Sequence, residues 1–210
     1  KGQPSKNVAQ WKEYSDLMKS HGVPEWYIES CRRIKYMFPK GHAVAYVMMA
    51  MRIAYFKVHY PLAFYAAYLS RKVEDFDFEL MNDLVKVKEK IQELNREPKL
   101  DVKKKAQLAV CEIIVEMHAR GFEFLNLDVY KSHGSKFIIE DGKIRVPLMG
   151  LNGLGASVME NIVRERELGR FISYEDFKRR TKTSQTTVDK LKEFNCIESL
   201  SETNQTTLFF

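Results

Sequence analysis

The sequence predicts a mostly α-helical protein with one small β interruption. Three observations carry that reading. Long stretches space their apolar residues three and four apart, as one helix face requires; Val87, Ile91 and Leu94 are such a set. The ends of these stretches carry helix punctuation: Pro39 and Pro61 in first turns, Asp101 at a cap position, Gly121 just past an end. The helical period then breaks at 137–146, where two short apolar runs flank Asp141-Gly142, a dipeptide suited to a tight hairpin turn.

In chain order, residues 1–9 read as an arm. Residues 11–20 form a short helix ending at His21-Gly22, and Pro24 opens a second helix with Trp26, Tyr27, Ile34 and Met37 as expected core contacts. A longer helix follows over about 39–57 and stops before Pro61, which biases Tyr60 away from helix. It is apolar nearly all round from 43 to 56, a pattern that calls for burial inside a larger assembly. Pro61 starts another helix whose Phe64, Tyr65 and Tyr68 read as core packing. Asp75 and Asp77 sit in a turn where capping is the expected role. Helices over 84–96 and 101–120 follow, separated at Pro98. After the hairpin, 147–170 and 173–200 have similar helix–turn–helix lengths, so they read as a tandem repeat with a degenerate second copy. Residues 201–204 carry nothing that packs and read as a disordered tether before an apolar end. The expected division is 1–120 (a multi-helix part), 121–146 (a connecting segment with the hairpin), 147–200 (the tandem element) and 201–210 (a flexible tail).

Composition narrows the function. A hydrophobic content of 45% suffices for a core, and the net charge of +6 lies wholly in residues 1–60, which hold ten Lys or Arg against four Asp or Glu. A basic N-terminal part points to an anionic partner. Cys31, Cys111 and Cys196 are far apart and odd in number, so neither a disulfide framework nor a zinc site is indicated. A reducing, cytoplasmic setting is the simple expectation. No apolar run reaches membrane-spanning length and no signal peptide is visible. Beginning at Lys1, the chain reads as a piece of something longer.

Two stretches could carry chemistry. Lys40 and His42 fall at the start of the apolar helix, where the dipole and open N–H groups favour an anion. Phe38, His42 and Tyr46, four apart, share a face. A cation, an imidazole and aromatic rings at a helix start suit a triphosphate with a stacked base. The bland alternative is a pair of satisfied core groups. The second stretch is GLNGLG over 150–155, immediately before a helix. Gly153 and Gly155 let the backbone approach a phosphate closely, the following N–H groups receive it, and Leu154 plugs into the core. That is the signature of a helix-hairpin-helix element, which grips nucleic-acid backbone without reading sequence. Lys178, Arg179, Arg180 and Lys182 lie close by and can add phosphate contacts. The alternative here is an ordinary tight turn between packed helices. No nucleophile–base arrangement, carboxylate cluster or metal-ligand spacing is visible, so no catalytic residue is assigned to this chain.

Taken together, KGQPSKN, RRIKYMFPKGHAVAYVMMAMRIAYFKVHYPLAFYAAYLS, FIIEDGKIRVPLMGLNGLG and NQTTLF resemble the C-terminal part of the PolC-type bacterial replicative DNA polymerases of the C family. The resemblance covers nearly the whole chain. It implies that residues 1–120 belong to the fingers, with Lys40, His42, Tyr46 and Phe38 facing the incoming deoxynucleoside triphosphate and nascent base pair. It implies that the tandem element holds primer–template duplex DNA, and that Gln205, Leu208 and Phe209 dock on a sliding clamp, with Thr206 standing where Leu is usual. No cofactor is expected on this chain; the Mg²⁺ ions of phosphoryl transfer would sit in a palm that this sequence does not include. A helix-hairpin-helix module of a repair protein is the rival reading, and it leaves the Phe38–His42–Tyr46 face unexplained.

Overall fold

The computed structural model describes residues 8–33 and 39–204. It falls into two compact units that divide at 52/53. The first holds α1 (Val8–Ser20), α2 (Glu25–Arg33) and most of α3 (Lys40–His59). α1 ends as a Schellman turn: Gly22 takes φ 70°, its N–H donates to the Lys19 carbonyl, and the Val23 N–H donates to that of Met18. Core contacts were expected from Trp26 and Tyr27, but these are 72% and 46% exposed, and Ile28 is the buried residue of α2. The pattern placed the buried face one residue too early. Ile34 and Met37 lie outside the described residues. Apolar as it is, α3 buries no residue at all.

The second unit begins within α3 and continues through α4 (Pro61–Arg71), a 3₁₀ turn at Val73–Asp75, α5 (Phe78–Met81), α6 (Leu84–Arg96) and α7 (Val102–Ala119). The caps follow the sequence reading. Asp77 Oδ1 accepts from the Glu79 and Leu80 N–H groups, and Asp101 Oδ1 accepts from that of Lys104 at 2.7 Å. Tyr65 and Leu69 of α4, Val87 and Leu94 of α6, and Val110, Ile114 and Met117 of α7 are buried.

β2 (Ile138–Glu140) and β3 (Lys143–Arg145) form the expected hairpin. Asp141 and Gly142 both have positive φ, as a two-residue turn of this kind requires. A third strand, β1 (Phe124–Leu125), pairs with β3 in parallel, so the expected two-stranded ribbon is a three-stranded sheet of order β1-β3-β2. A 3₁₀ turn (Leu148–Gly150) leads to α8 (Ala156–Glu167), α9 (Tyr174–Thr181) and α10 (Gln185–Glu193).

Packing does not break at residue 120 or 146, where boundaries were expected. One hydrophobic core runs from Tyr65 to Ile197. The Val129 N–H donates to the Cys196 carbonyl at 2.8 Å, Asn126 Nδ2 to that of Phe194 at 2.8 Å, and Arg166 to those of Val129 and Ser132. The segment expected to be a connector is therefore stitched into the tandem element.

Residues 201–204 are not a free tether. Ser201 bridges to Ser173; the Tyr174 and Glu175 N–H groups donate to the Ser201 and Glu202 carbonyls; Lys192 pairs with Glu202 at 2.9 Å. Together with Ser173 Oγ, which accepts from the Asp176 N–H, this strap satisfies the first-turn donors of α9. The expectation of disorder there failed because backbone groups and polar side chains, not apolar packing, supply the contacts.

Candidate nucleic-acid interface

The first turn of the tandem element is anchored from inside. Leu151 and Leu154 are buried, and Gly153 bends the chain between them at φ 89°. Leu154 thus occupies the core as its flanking glycines suggested. Gly155 is different. It is extended (φ −69°, ψ 154°), and a Cβ built on it meets no atom within 4 Å. The fold does not require glycine there. A Ser, Thr, Asp or Asn would cap α8 better. With glycine in place no side chain caps the helix, and the exposed 155–157 segment presents its start to the outside.

The second copy repeats this path. Lys182 is left-handed (φ 59°, ψ 30°), Thr183 is buried, and Ser184 is extended (φ −70°, ψ 156°) immediately before α10. These match Gly153, Leu154 and Gly155 in turn. Buried Phe177 and Leu191 stand where buried Leu148 and Ile162 stand in the first copy. The copies also contact each other reciprocally. Asn161 of α8 donates to the Thr181 carbonyl at 3.1 Å, and Lys190, the equivalent residue of α10, donates to the carbonyl of Asn152, the equivalent of Thr181. Such an exchange is what an approximate two-fold relation produces. The copies differ in two respects. The opening helix of the first is only the Leu148–Gly150 turn, whereas α9 is a full helix. And Ser184 Oγ accepts from the Thr187 N–H, so α10 is capped by its own chain where α8 is not.

The basic residues after α9 begins do not share one fate. Lys178 is exposed and donates to Gln185. Arg179 is 71% exposed on its side chain and pairs with Asp176 at 2.9 Å. Arg180, expected as a phosphate contact, is spent inside the fold. Its guanidinium pairs with Glu165 and Asp176, donates to the Arg170 and Gly169 carbonyls, and lies 4.5 Å from the Phe171 ring centroid. Arg180 stands four residues after Asp176, on the inward face of α9, which a run of basic residues does not reveal. Burial alone would raise the Asp176 carboxyl, but hydrogen bonds from Arg179, the Ile172 N–H and Arg180 outweigh it and hold that carboxyl below its usual range. The role of Lys182 as the counterpart of Gly153 needed the two helix starts, Ala156 and Gln185, to be set in register, and the sequence offers no second glycine pair to do that.

On α3, Lys40, His42 and Tyr46 are all exposed. The His42 and Tyr46 rings meet edge-on with centroids 4.6 Å apart, so they share a face as their spacing implied. Phe38 lies outside the described residues, as do Gln205, Thr206, Leu208 and Phe209. Among the described residues no cluster of His, Cys, Asp or Glu fits a metal ion, and no helix is long and apolar enough to cross a membrane.

This arrangement is that of a helix-hairpin-helix module, and residues 121–207 match the family model described as the helix-hairpin-helix motif. The match takes in the segment that packing joins to the tandem element. Beyond the module, the chain is 46% identical over 200 residues to the DNA polymerase III PolC-type of Caldanaerobacter subterraneus subsp. tengcongensis and 48% identical over 200 residues to that of Clostridium perfringens, each covering 94% of this chain. It is 48% identical over 208 residues, 97% of this chain, to that of Thermotoga maritima. Along nearly all its length the chain belongs to the PolC-type DNA polymerase III family. It spans 14% to 15% of the length of those relatives.

Proposed function

We propose that the chain is part of a replicative DNA-directed DNA polymerase and that its own share of the work is to hold duplex DNA by its backbone. The observation that carries this reading is the first turn: a glycine that the fold does not need, at the uncapped start of a helix, beside a second turn related to it by an approximate two-fold. Two-fold-related turns suit a duplex, whose strands are themselves related by two-fold axes. Contacts from backbone N–H groups carry no base information, so binding is blind to sequence.

The finer roles rest on resemblance. Lys40 neutralises triphosphate charge, His42 donates to a phosphate or sugar oxygen, and Tyr46 with Phe38 packs against the nascent base pair. Gln205, Leu208 and Phe209 dock on a sliding clamp. On the same resemblance, the Mg²⁺ of phosphoryl transfer serves the palm of the polymerase. The setting is the cytoplasm.

The test is a titration of the chain with mixed-sequence duplex across a salt series. Affinity is expected to be weak and independent of sequence, and to fall with salt to the extent that the exposed Lys178 and Arg179 add phosphate contacts to those of the N–H groups. Gly155→Val, whose Cβ meets no atom within 4 Å, is expected to weaken binding several-fold while costing only about 1 kcal/mol of stability as a poorer N-cap. Affinity that stays flat with salt, or is unchanged by Gly155→Val, contradicts the reading.

A further inference from the structure

The second turn breaks a rule that the first one keeps. Gly153 supplies the left-handed residue of the first turn, and Lys182 supplies it in the second. Two other described non-glycine residues have positive φ, Asp141 and Asn195, and both are of the side-chain type that visits this conformation readily. Lysine has no such aptitude, and glycine would serve the turn better, as the first copy demonstrates. The Lys182 side chain brings the fold nothing in return. It is exposed, and among the described residues it makes no ion pair or hydrogen bond. Its basic neighbours all have partners: Lys178 has Gln185, Arg179 has Asp176, Arg180 has Glu165, Lys190 has Glu79 and Lys192 has Glu202. The second turn also has fewer open donors than the first, because Ser184 Oγ already accepts from the Thr187 N–H.

We propose that Lys182 is a phosphate-binding residue, so that the two turns hold a duplex by different chemistry. The first relies on open backbone N–H groups alone, and the second adds an ammonium. This rests on the reading of the tandem module as a duplex binder. The two chemistries have separable signatures. Neutralising a phosphate with a lysine releases condensed counterions and steepens the salt dependence, whereas an uncharged N–H contact does not.

The experiment measures the affinity of the whole 210-residue chain for a short mixed-sequence duplex across a salt series, for the parent, Lys182→Gly and Lys182→Arg. Lys182→Gly is expected to be at least as stable to heat as the parent, because glycine suits the turn. Its line of log affinity against log salt is expected to be shallower by about 0.9, the share of one neutralised phosphate on B-DNA. Lys182→Arg is expected to keep the parental slope. A parental slope in Lys182→Gly overturns the proposal while leaving duplex binding by the module intact. Failure of the parent to bind duplex overturns both.

Discussion

The apolar helix α3 and the tandem module both read from sequence as anion sites, and they differ in what surrounds them. In the module, Leu148, Leu154, Ile162, Phe177 and Leu191 bury their side chains, and those contacts fix the turns that face outward. Along α3, Val44, Tyr46, Val47, Met48, Met49 and Met51 are each about half exposed or more, and no residue is buried. An apolar surface of that extent is unusual for a protein standing alone. A site whose residues converge within one chain can be tested in that chain. On α3, by contrast, the described residues place Lys40, His42 and Tyr46 along an exposed face, with His42 and Tyr46 edge to edge.

Stability measurements can break this comparison. The largest effect is expected for Phe177→Ala. That side chain is fully buried and meets Phe171 edge-on at 4.8 Å, so its removal is expected to cost about 3–5 kcal/mol. Met49→Ala, at 53% exposure, is expected to stay within about 0.5 kcal/mol. Urea denaturation of both variants checks this; a loss at Met49 as large as that at Phe177 would mean that α3 is packed within this chain after all.

Two adjacent arginines sharpen the comparison within the module. Arg180→Gln leaves the largely buried carboxylates of Asp176 and Glu165 short of a partner and is expected to cost about 3 kcal/mol of stability. Arg179→Gln removes an exposed guanidinium from the buried Asp176, which keeps Arg180 and the Ile172 N–H, and is expected to cost less, about 1–2 kcal/mol. It is expected instead to weaken duplex binding, most at low salt. Thermal melts and duplex titrations of the two variants should show opposite rankings. The same ranking in both would dissolve the distinction between a scaffold arginine and a binding one.

Much of the fold was legible because its signals are local. The Asp77 and Asp101 caps, the Asp141-Gly142 turn and the Gly153-Leu154-Gly155 turn each announce themselves within a few residues, and each stands where it was expected. What escaped depends on partners distant in sequence. β1 is two residues long and exists only because β3 lies beside it. The strap at 201–204 uses backbone groups that no side-chain pattern records. Arg180 was misread because a basic run looks the same whether a given member faces solvent or, as here, two carboxylates and an aromatic ring. The site was legible to the extent that it is made of glycine. Its second half, built from Lys182, Thr183 and Ser184, shares with the first a backbone path rather than residue types.

The central claim is that the duplex meets this chain at the two turns of the module and not along α3. Backbone amide chemical shifts of isotope-labelled chain, followed while a mixed-sequence duplex is added at low salt, test it most directly. The expected result is large, saturable shifts at Gly153–Ser157 and Lys182, with 42–51 of α3 unmoved. Shifts concentrated on α3, or a silent 153–157 segment at saturation, would contradict it.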